Sequence, residues 1–349
     1  MQDNEIDNRI VELDMGMGGK KMDILLKFIT DRIKIKRISK NGIGVESFDD
    51  GAIIPLNSSS MDLVITTDSY TVSPLFFRGG NIGTLAASGT INDLLMMGSK
   101  PLAFTLALII KEGFQFEQLG KIIDTIVEIT ARDNIGIVAG DTKVMPHKSM
   151  EGVEILINTT GIGLVTAGRR ITDSSVQPGD SIISTGTLGD HGFAMLASRE
   201  GIEFETKLNS DVASLTSVIE PILKYRIHAM KDPTRGGLTG VLAEWVSKSP
   251  VSIWIDEPKI PISEDVRVLS EIFGIDPLNV SCEGKAIIAV HPEDVEEVLR
   301  ILKSTDLGLN SSIIGKAKEE RIGNIFLKTK IGGHRVLDKP VGEPIPRVC

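Results

Sequence analysis

The chain contains the run Leu63-Val64-Ile65-Thr66-Thr67-Asp68-Ser69, in which apolar and β-branched residues lead directly to a carboxylate. This composition predicts a buried strand that ends at Asp68. A carboxylate at a strand end is well placed to hold a hard cation such as Mg²⁺, which prefers oxygen ligands and retains water. One aspartate on its own could equally be a turn residue or a helix cap.

Two other carboxylates in the first half of the chain occupy similar positions. Asp50 precedes a short apolar run, and Asp141 follows a predicted strand that begins at residue 135. Asp141 belongs to the segment Gly140-Asp141-Thr142-Lys143, which combines a glycine turn with a carboxylate and a lysine. Aspartate can bind a metal ion and lysine can place a positive charge beside a phosphate, so the segment favours a metal–phosphate site.

Polar residues also interrupt or flank the predicted helices. Asn92 and Asp93 lie side by side in an apolar helix predicted over 82–97, and both are poor residues for a helix interior, which favours a role in a site. Asp232 precedes a glycine turn at the start of another predicted helix, where backbone amides suit an anion or a Mg–phosphate group. Glu283 lies just before a predicted strand.

Glycines precede the first predicted helix in the segment Met15-Gly16-Met17-Gly18-Gly19. Residues without side chains, such as Gly18 and Gly19, let backbone amides approach a phosphate closely. The segment does not match the GxxxxGK[ST] loop of nucleotide-binding proteins, so an ordinary loop leading into a helix remains the alternative.

Length and composition limit the class of protein. A chain of 349 residues can form two domains, each with its own core. The net charge of −9 and the lack of a basic stripe with interleaved aromatic residues argue against nucleic-acid binding. The N-terminus has no apolar signal-peptide core, and no apolar run approaches the ~20 residues of a membrane span. We therefore expect a cytoplasmic protein that does not bind membranes.

The sequence has two cysteines, Cys282 and Cys349. Two thiols cannot form a disulfide framework, and the histidines lack the spacing of zinc ligands. Cys349 is the last residue printed and follows Pro344 and Pro346, which hold the segment extended and out of a helix. From the residues alone, Cys349 is either part of a frayed end or a tethered nucleophile or group carrier.

Recognisable motifs recur along the chain: Thr67-Asp68-Ser69-Tyr70, Gly79-Gly80-Asn81-Ile82-Gly83, Gly89-Thr90-Ile91-Asn92-Asp93, Ala139-Gly140-Asp141-Thr142-Lys143, Gly186-Thr187-Leu188-Gly189-Asp190-His191-Gly192, Asp232-Pro233-Thr234-Arg235-Gly236-Gly237, Glu283-Gly284-Lys285 and Pro346-Arg347-Val348-Cys349. Together they closely resemble the HypE family of hydrogenase maturation proteins, within the aminoimidazole ribonucleotide synthetase-like superfamily of ATP enzymes. The resemblance covers residues 11–349. The aspartate motifs fit the whole superfamily, whereas the final Pro-Arg-Val-Cys is what points to this family.

The resemblance implies a two-domain fold of the α+β or α/β class. Residues 1–170 would form an N-terminal ATP-binding domain built on a β-sheet or barrel that dimerises. Residues 171–334 would form a C-terminal α/β sandwich, and residues 335–349 a mobile tail ending in the carrier cysteine. ATP would bind between the N-terminal domains of a homodimer.

The resemblance also implies an activity. In this family, the carbamoyltransferase HypF places a carbamoyl group on the terminal thiol, and ATP with Mg²⁺ is used to dehydrate it to a thiocyanate. The cyano group then passes to iron on the HypC–HypD complex for the [NiFe]-hydrogenase active site. Two alternatives remain open: another ATP-dependent phosphotransferase of the superfamily that acts on a free small molecule, and a non-catalytic scaffold that docks the same partners.

Residue roles follow by match to the family motifs. Cys349 would carry the substrate, Glu283 would be the base that removes N–H protons, and Lys143 would steady the phosphate or the developing charge. Metal ligands are expected at Asp50, Asp68, Asp93, Asp141 and Asp232. Nucleotide contacts are expected at these five aspartates and at Gly18, Gly19, Asn92, Thr142 and His191.

Two of these roles have structural alternatives, and one motif departs from the family. Glu283 could instead form an ion pair with Lys285, and His191 could only cap its helix. The family usually opens with His-Gly-Ser-Gly-Gly, whereas Met15 and Met17 stand here in place of the histidine and the serine. Any role of those two side chains is therefore in doubt, but a phosphate contact through backbone amides is not.

Overall fold

The computed structural model describes residues 11–12, 15, 19–56, 59–201 and 207–339. Within them the strands form two main sheets, one in each half of the chain. The helices are α1 Gly19–Arg32, α2 Ile82–Met96, α3 Phe116–Arg132, α4 Asp190–Arg199, α5 Thr216–Ile219, α6 Gly237–Lys248, α7 Glu264–Phe273 and α8 Val295–Lys303. The strands are β1 Ala52–Ile54, β2 Met61–Tyr70, β3 Phe76–Phe77, β4 Gly80–Asn81, β5 Lys100–Lys111, β6 Gly136–Met145, β7 Ile155–Thr166, β8 Ser181–Ser184, β9 Ile227–Lys231, β10 Ser252–Asp256, β11 Ile287–Val290, β12 Ser312–Lys318, β13 Ile325–Lys328 and β14 His334–Leu337.

The first sheet has the strand order β1-β2-β7-β5-β6. All its pairs are antiparallel except β5 with β6, which are parallel and joined by the crossover helix α3. Alternate residues of β7 are buried, because α2 covers one face of the sheet. Strand β6 lies at the edge, and nine of its ten residues are exposed.

The second sheet has seven strands in the order β14-β13-β10-β12-β8-β11-β9. Strands β8 and β11 are buried on both faces, which places them at the centre of a sandwich. On one face, Ile182 and Ile287 pack in a core with Trp245 of α6. On the other face, Ile288 packs in a core that includes Val298 of α8. The C-terminal half is therefore an α/β sandwich, as the sequence predicted.

Helix α2 lies in the interior between the two sheets. Its residues are buried on almost every side, and Leu85 and Ile91 share one core with Ile288 of the second sheet. A helix that is apolar all round is stable only when it is buried in this way. Asn81 begins the helix, because its side chain accepts hydrogen bonds from the amides of Gly83 and Thr84.

Several sequence predictions need correction at strand ends. Asp68 does not end its strand, because β2 continues and pairs Ser69 and Tyr70 with β7. Asp141 likewise lies inside β6, which pairs with β5 as far as Met145. The apolar pattern over residues 154–165 predicts a pair of strands, whereas the structure has the single long strand β7 there.

Two further predictions differ from the structure. The pattern over residues 212–224 predicts a helix, and the family resemblance predicts a mobile tail from residue 335. The first region contains only the short helix α5 and a 3₁₀ turn over Glu220–Ile222. In the second, β14 pairs with β13, so residues 335–337 belong to the second sheet. The remainder of the predicted tail, residues 340–349, lies outside the described residues, as do Gly18, Met17 and Cys349.

Candidate active site

A cavity of about 850 Å³ is lined by residues from both halves of the chain. The N-terminal half contributes α1, the segment 44–52 and β2, and the C-terminal half contributes the end of β9, the turn after it and α6. One part of the wall is apolar and includes Met22, Leu26 and Phe48. Another part is rich in carboxylates. A nucleotide would fit such a cavity with its base on the apolar wall and with cations between the carboxylates and its anionic phosphate chain.

Four of the predicted carboxylates meet at this cavity. Asp50, Asp68, Asp93 and Asp232 all line it, although they come from different segments of the chain. Thr66 Oγ1 donates a hydrogen bond to Asp93 Oδ2 at 2.8 Å, which fixes one carboxylate against the neighbouring strand. Because Asp68 and Asp93 are separated by 24 intervening residues, only the packing of α2 on β2 brings them together.

The carboxylates repel one another electrostatically. Burial raises the pKa of Asp93 well above its ordinary value, and the charges of Asp68, Asp232 and Asp50 raise it further. Burial also raises the pKa of Asp232 to about 6, with Lys231 opposing the shift and Asp68 adding to it. The cluster therefore contains more negative charge than its protein surroundings neutralise. A bound cation would relieve this repulsion.

The donor set fits Mg²⁺ accompanied by phosphate. Among the residues that the structure describes, no group of three or more histidine, cysteine, aspartate or glutamate side chains is arranged to hold a metal ion. Mg²⁺ does not require such a cage, because it usually keeps several waters and binds one or two carboxylates together with substrate phosphates. Oxygen ligands with unrelieved repulsion therefore suit Mg²⁺ better than a metal that needs a complete protein cage.

Of the two glycines predicted to contact the nucleotide, the structure describes only Gly19. Gly19 begins α1 with φ of 70° and lines the cavity, whereas Gly18 lies outside the described residues. A positive φ strains any residue with a side chain, so glycine is the natural choice at this position.

Three cationic residues line the same cavity: Lys231, Arg235 and Lys339. Sequence reasoning did not assign a role to Lys231 or Lys339. The sequence signal that could have indicated a role for Lys231 is its position directly before Asp232. No local pattern marks Lys339, which reaches the cavity because β14 ends beside it.

Asp141, Thr142 and Lys143 do not line the cavity. Through the strand pairing, Asp68 lies opposite Thr159 of β7, Thr159 opposite Leu106 of β5, and Leu106 opposite Gly140 of β6. Three strand spacings separate Asp68 from Gly140, which is about 14 Å. Within one chain, the exposed edge strand β6 therefore presents this motif away from the other aspartates.

Asn92 stabilises the structure around Glu283 and does not line the cavity. Its Nδ2 donates to the carbonyl oxygens of Ala213 at 3.0 Å and Glu283 at 3.3 Å, and its Oδ1 accepts from the amide of Leu215 at 2.8 Å. These bonds satisfy a polar side chain that is otherwise buried in an apolar helix. They join α2 to two loops of the second half, which is a structural role beside the predicted nucleotide role.

Glu283 is buried and does not line the cavity. Glu283 is 2% exposed, and its backbone amide donates a hydrogen bond to Asp211 Oδ1 at 3.0 Å. Burial raises the pKa of Tyr70 well above its ordinary value, and the charges of Asp68, Asp93 and Glu283 contribute. Tyr70 therefore lies within electrostatic reach of both Glu283 and the cavity carboxylates.

The other residues of this buried polar region have clear partners. Lys285 Nζ lies 3.5 Å from Asp211 Oδ2, so the ion pair recorded for Lys285 is with Asp211 and not with Glu283. His191 is the second residue of α4, and its Nδ1 lies 2.7 Å from Ser210 Oγ. This contact ties α4 to the loop before α5, and His191 does not line the cavity.

Cys282 is a structural cysteine. It is fully buried, and its Sγ accepts a hydrogen bond from the amide of Gly189 at 3.1 Å. Burial raises the pKa of this thiol well above its ordinary value, and the charge of Asp211 adds to the shift. The neutral thiol is a poor nucleophile, so Cys282 is not a candidate for reactive sulfur chemistry.

No helix in the described residues is long and apolar enough to cross a membrane.

Comparison with known families gives two matches, which together cover most of the chain. Residues 48–165 match the AIR synthase related protein, N-terminal domain, and residues 177–328 match the C-terminal domain of the same description.

Two sequence relatives extend over nearly the whole chain. A protein of Methanocaldococcus jannaschii that is named for hydrogenase expression and formation is 48% identical over 338 residues, covering 96% of this chain and 98% of that one. The carbamoyl dehydratase HypE of Rhizobium leguminosarum bv. viciae is 37% identical over 354 residues, covering 99% of this chain and 97% of that one.

Solved structures agree with these relatives. A HypE–HypF complex is 38% identical with a TM-score of 0.82, covering 91% of this chain and 99% of that chain. A HypE structure in complex with ATP is 34% identical with a TM-score of 0.79, covering 97% and 100%. A thiamine monophosphate kinase of Aquifex aeolicus shares the fold at 18% identity with a TM-score of 0.62, covering 88% of this chain and 95% of that chain. The chain belongs to the HypE family of hydrogenase maturation proteins, within the wider group of AIR synthase related proteins.

Proposed function

We propose that this chain is an ATP-dependent carbamoyl dehydratase, which converts a carbamoyl group carried on Cys349 to a thiocyanate. The observation that carries the proposal is the convergence of Asp50, Asp68, Asp93 and Asp232 on one cavity with an apolar wall. The relatives named carbamoyl dehydratase HypE and the HypE structure with ATP support the same conclusion. The product would supply cyanide ligands for the iron of [NiFe]-hydrogenase.

The four cavity aspartates would hold Mg²⁺ together with the nucleotide phosphates. Mg²⁺ with ATP supplies the means to turn the amide oxygen into a phosphate leaving group. The carboxylates repel one another without a cation, so they are poised to bind one. Met22, Leu26 and Phe48 would receive the base on the apolar wall of the cavity.

Glu283 is our candidate for the base that removes the N–H protons of the carbamoyl group. A general base must lie within hydrogen-bond reach of the proton that it removes, and its pKa is tuned by burial and neighbouring charges. Glu283 is buried within electrostatic reach of Tyr70, whose hydroxyl donates a hydrogen bond to Asp68 Oδ2 at 3.2 Å. Glu283 is therefore connected to the proposed nucleotide site through one side chain.

We also propose a homodimer that uses strand β6. Its edge exposes Ile137, Val138 and Val144, of which Val138 is 65% exposed. An unpaired apolar edge strand is a template for pairing with a second chain. Such pairing would cover Asp141, Thr142 and Lys143 and bring them beside the partner, where Lys143 could steady a phosphate and Asp141 could bind metal.

Two groups of partners follow from the proposed reaction. A HypF carbamoyltransferase would load Cys349, in keeping with the structure of a HypE–HypF complex. A HypC–HypD complex would receive the cyano group. We place the chain in the cytoplasm, where a thiol stays reduced. We retain the domain limits 1–170 and 171–334 as a proposal, with the second sheet extended to Leu337.

The test is to incubate the S-carbamoylated protein with Mg²⁺ and ATP and to measure the mass of its C-terminal peptide. We expect the loss of one water from the peptide that contains Cys349, and an unchanged mass would reject the dehydratase. Cys349→Ala separates the alternatives. A phosphotransferase acting on a free small molecule would keep its activity in this variant, and a scaffold would not turn over ATP in either protein.

A further inference from the structure

Lys231 lies at the point where the two halves of the chain meet beside the cavity. It is the last residue of β9, and its Nζ contacts three carboxylates from three separate segments. The distances are 2.8 Å to Asp50 Oδ1, 3.1 Å to Glu244 Oε2 and 3.2 Å to Asp173 Oδ2. Asp50 belongs to the N-terminal half, Asp173 to the connection between the sheets, and Glu244 to α6 of the C-terminal half.

Three carboxylates engage the ammonium group of Lys231. Its Nζ donates a hydrogen bond to Asp173 Oδ2 and forms ion pairs with Asp50 and Glu244, and these groups compete with a phosphate for its three N–H donors. The side chain is 12% exposed, so water does not replace these contacts. Although Lys231 lines the cavity, its recorded contacts are with these carboxylates, and we expect it to act on a nucleotide through them.

Among the three carboxylates, Asp50 depends on Lys231 most. Asp173 also accepts hydrogen bonds from Lys248 Nζ at 2.6 Å and from Trp245 Nε1 at 2.9 Å. Glu244 also lies 3.6 Å from Lys339 Nζ. Within the described part of the chain, the ion pair recorded for Asp50 is the one with Lys231.

We propose that Lys231 is a positioning residue that fixes Asp50 for Mg²⁺ binding, because it holds Oδ1 and Oδ2 would remain available to the metal. The inference rests on the proposed Mg–nucleotide site and names a residue outside the predicted set. Because Asp50 precedes β1 and Lys231 ends β9, the same contact sets the position of the first half of the site relative to the second.

The test compares Lys231→Met with Lys231→Arg in the full-length protein. The readout is the Mg²⁺ concentration that gives half-maximal binding of a fluorescent ATP analogue, measured at saturating analogue and apart from catalysis. We expect Lys231→Met to raise this concentration about tenfold or more, with a smaller change in the signal at saturating Mg²⁺. Lys231→Arg keeps a cation beside Asp50 and should restore the concentration to within about threefold of the parent.

Lys248→Met is the matched control, because Lys248 also contacts Asp173 but has no recorded contact with Asp50. It should lower thermal stability without changing the Mg²⁺ requirement. If Lys231→Met does not fold, Asp50→Asn combined with Lys231→Met is used, and its Mg²⁺ requirement should equal that of Asp50→Asn alone.

The outcomes separate this inference from the proposed function. A parent protein that binds the analogue, together with an unchanged Mg²⁺ requirement in Lys231→Met, would overturn the positioning role alone. An additive loss in the double variant would overturn it as well. A folded parent that binds no Mg²⁺ and analogue at all would overturn both proposals.

Discussion

The hydroxyl of Tyr70 donates a hydrogen bond to Oδ2 of Asp68 at 3.2 Å, and it lies 3.3 Å from Thr90 Oγ1. This contact joins a carboxylate of the proposed nucleotide site to the interior region that contains Glu283. Tyr70 is 5% exposed and therefore depends on these protein partners for its hydrogen bonds. A change at Tyr70 should consequently affect both the metal site and the proposed base.

Tyr70→Phe removes the hydrogen bond to Asp68 with little change in shape. Loss of a buried hydrogen bond to a charged group costs about 1.5–3 kcal/mol of folding stability. Because Asp68 is then no longer held in place, we also expect Mg²⁺-dependent ATP binding to weaken. Isothermal titration with ATP and Mg²⁺ checks this. Tyr225→Phe is the control, because its hydroxyl contacts Glu297 at 3.4 Å on the protein surface. Equal effects of the two variants would contradict the prediction.

Gly89 provides the space that the Tyr70 hydroxyl occupies. A Cβ added at Gly89 would lie 2.3 Å from Tyr70 Oη, so Gly89→Ala must displace the tyrosine. Overpacking of this kind costs about 1–3 kcal/mol. We expect a lower free energy of unfolding and weaker Mg²⁺-dependent ATP binding, measured by urea denaturation and by titration.

Gly120→Ala is the matched control for Gly89→Ala, since both glycines lie within helices. A Cβ at Gly120 of α3 would meet nothing within 4 Å. Alanine favours a helix over glycine by about 0.5–1 kcal/mol, so this variant should be slightly more stable than the parent. Destabilisation by both variants to the same extent would show that space beside Tyr70 is not the cause.

The pKa of Asp232 near 6 predicts a pH dependence. A carboxyl whose pKa is raised in the folded state binds more protons when folded than when unfolded, at any pH between its ordinary value and about 6. The contribution of Asp232 to stability is therefore complete at low pH and is lost as the pH rises through that window. Without Mg²⁺, Asp232→Asn should remove this slope from the free energy of unfolding.

Mg²⁺ binding should show the opposite trend, because the metal competes with the proton on Asp232. Affinity should increase as the pH rises and level off above about pH 6–7. This is checked by titrating the parent with Mg²⁺ in the presence of a fluorescent ATP analogue, in a series of assays from about pH 5 to pH 8. A pH-independent affinity in that range would contradict the assignment of Asp232 to the metal site.

Val138→Lys should disrupt the proposed dimer. The residue is 65% exposed in the edge strand β6, and an added lysine opposes edge-to-edge pairing. We expect sedimentation to show a dimer for the parent and a monomer for this variant, with little change in monomer stability. Ile272→Lys on the exposed side of α7 is the control and should remain dimeric. A monomeric parent would refute the dimer.

Glu283→Gln preserves size and hydrogen-bonding capacity while removing the carboxylate charge. If Glu283 is the base, the variant should bind ATP with nearly parental affinity and lose dehydration by about 10²-fold or more. Single-turnover mass analysis of the carbamoylated Cys349 peptide measures this, alongside ATP binding. Full dehydration by Glu283→Gln would remove Glu283 from the mechanism.

Much of the fold could be predicted from local patterns. The sequence predicts strands over 181–184 and near 325–328 and a helix over 264–273, and the structure has β8, β13 and α7 at these positions. Their apolar periodicity and flanking turn residues are local signals. Strand ends were less predictable. Nothing in the local sequence shows that β7 pairs with β2 beyond Asp68, or that β14 adds a further strand after β13.

The candidate site could be predicted as a set of residues but not as an arrangement. Asp68 and Asp93 were identifiable because carboxylates in apolar surroundings need an explanation. The position of Asp141 relative to these residues could not be predicted, since it depends on β7 and β5 lying between β2 and β6. Lys231 was missed because a lysine at the end of a strand is ordinarily a surface residue, and only the tertiary structure surrounds it with three carboxylates.

The interior position of α2 has a consequence for folding cooperativity. Leu85 and Ile91 contribute to the same core as Ile183 and Ile288, so the two sheets share one hydrophobic interior. Separation of the halves would expose this apolar surface to water, at a cost of roughly 25 cal/mol per Å². The two family domains should therefore unfold together in one transition, and neither should be recoverable as a stable fragment.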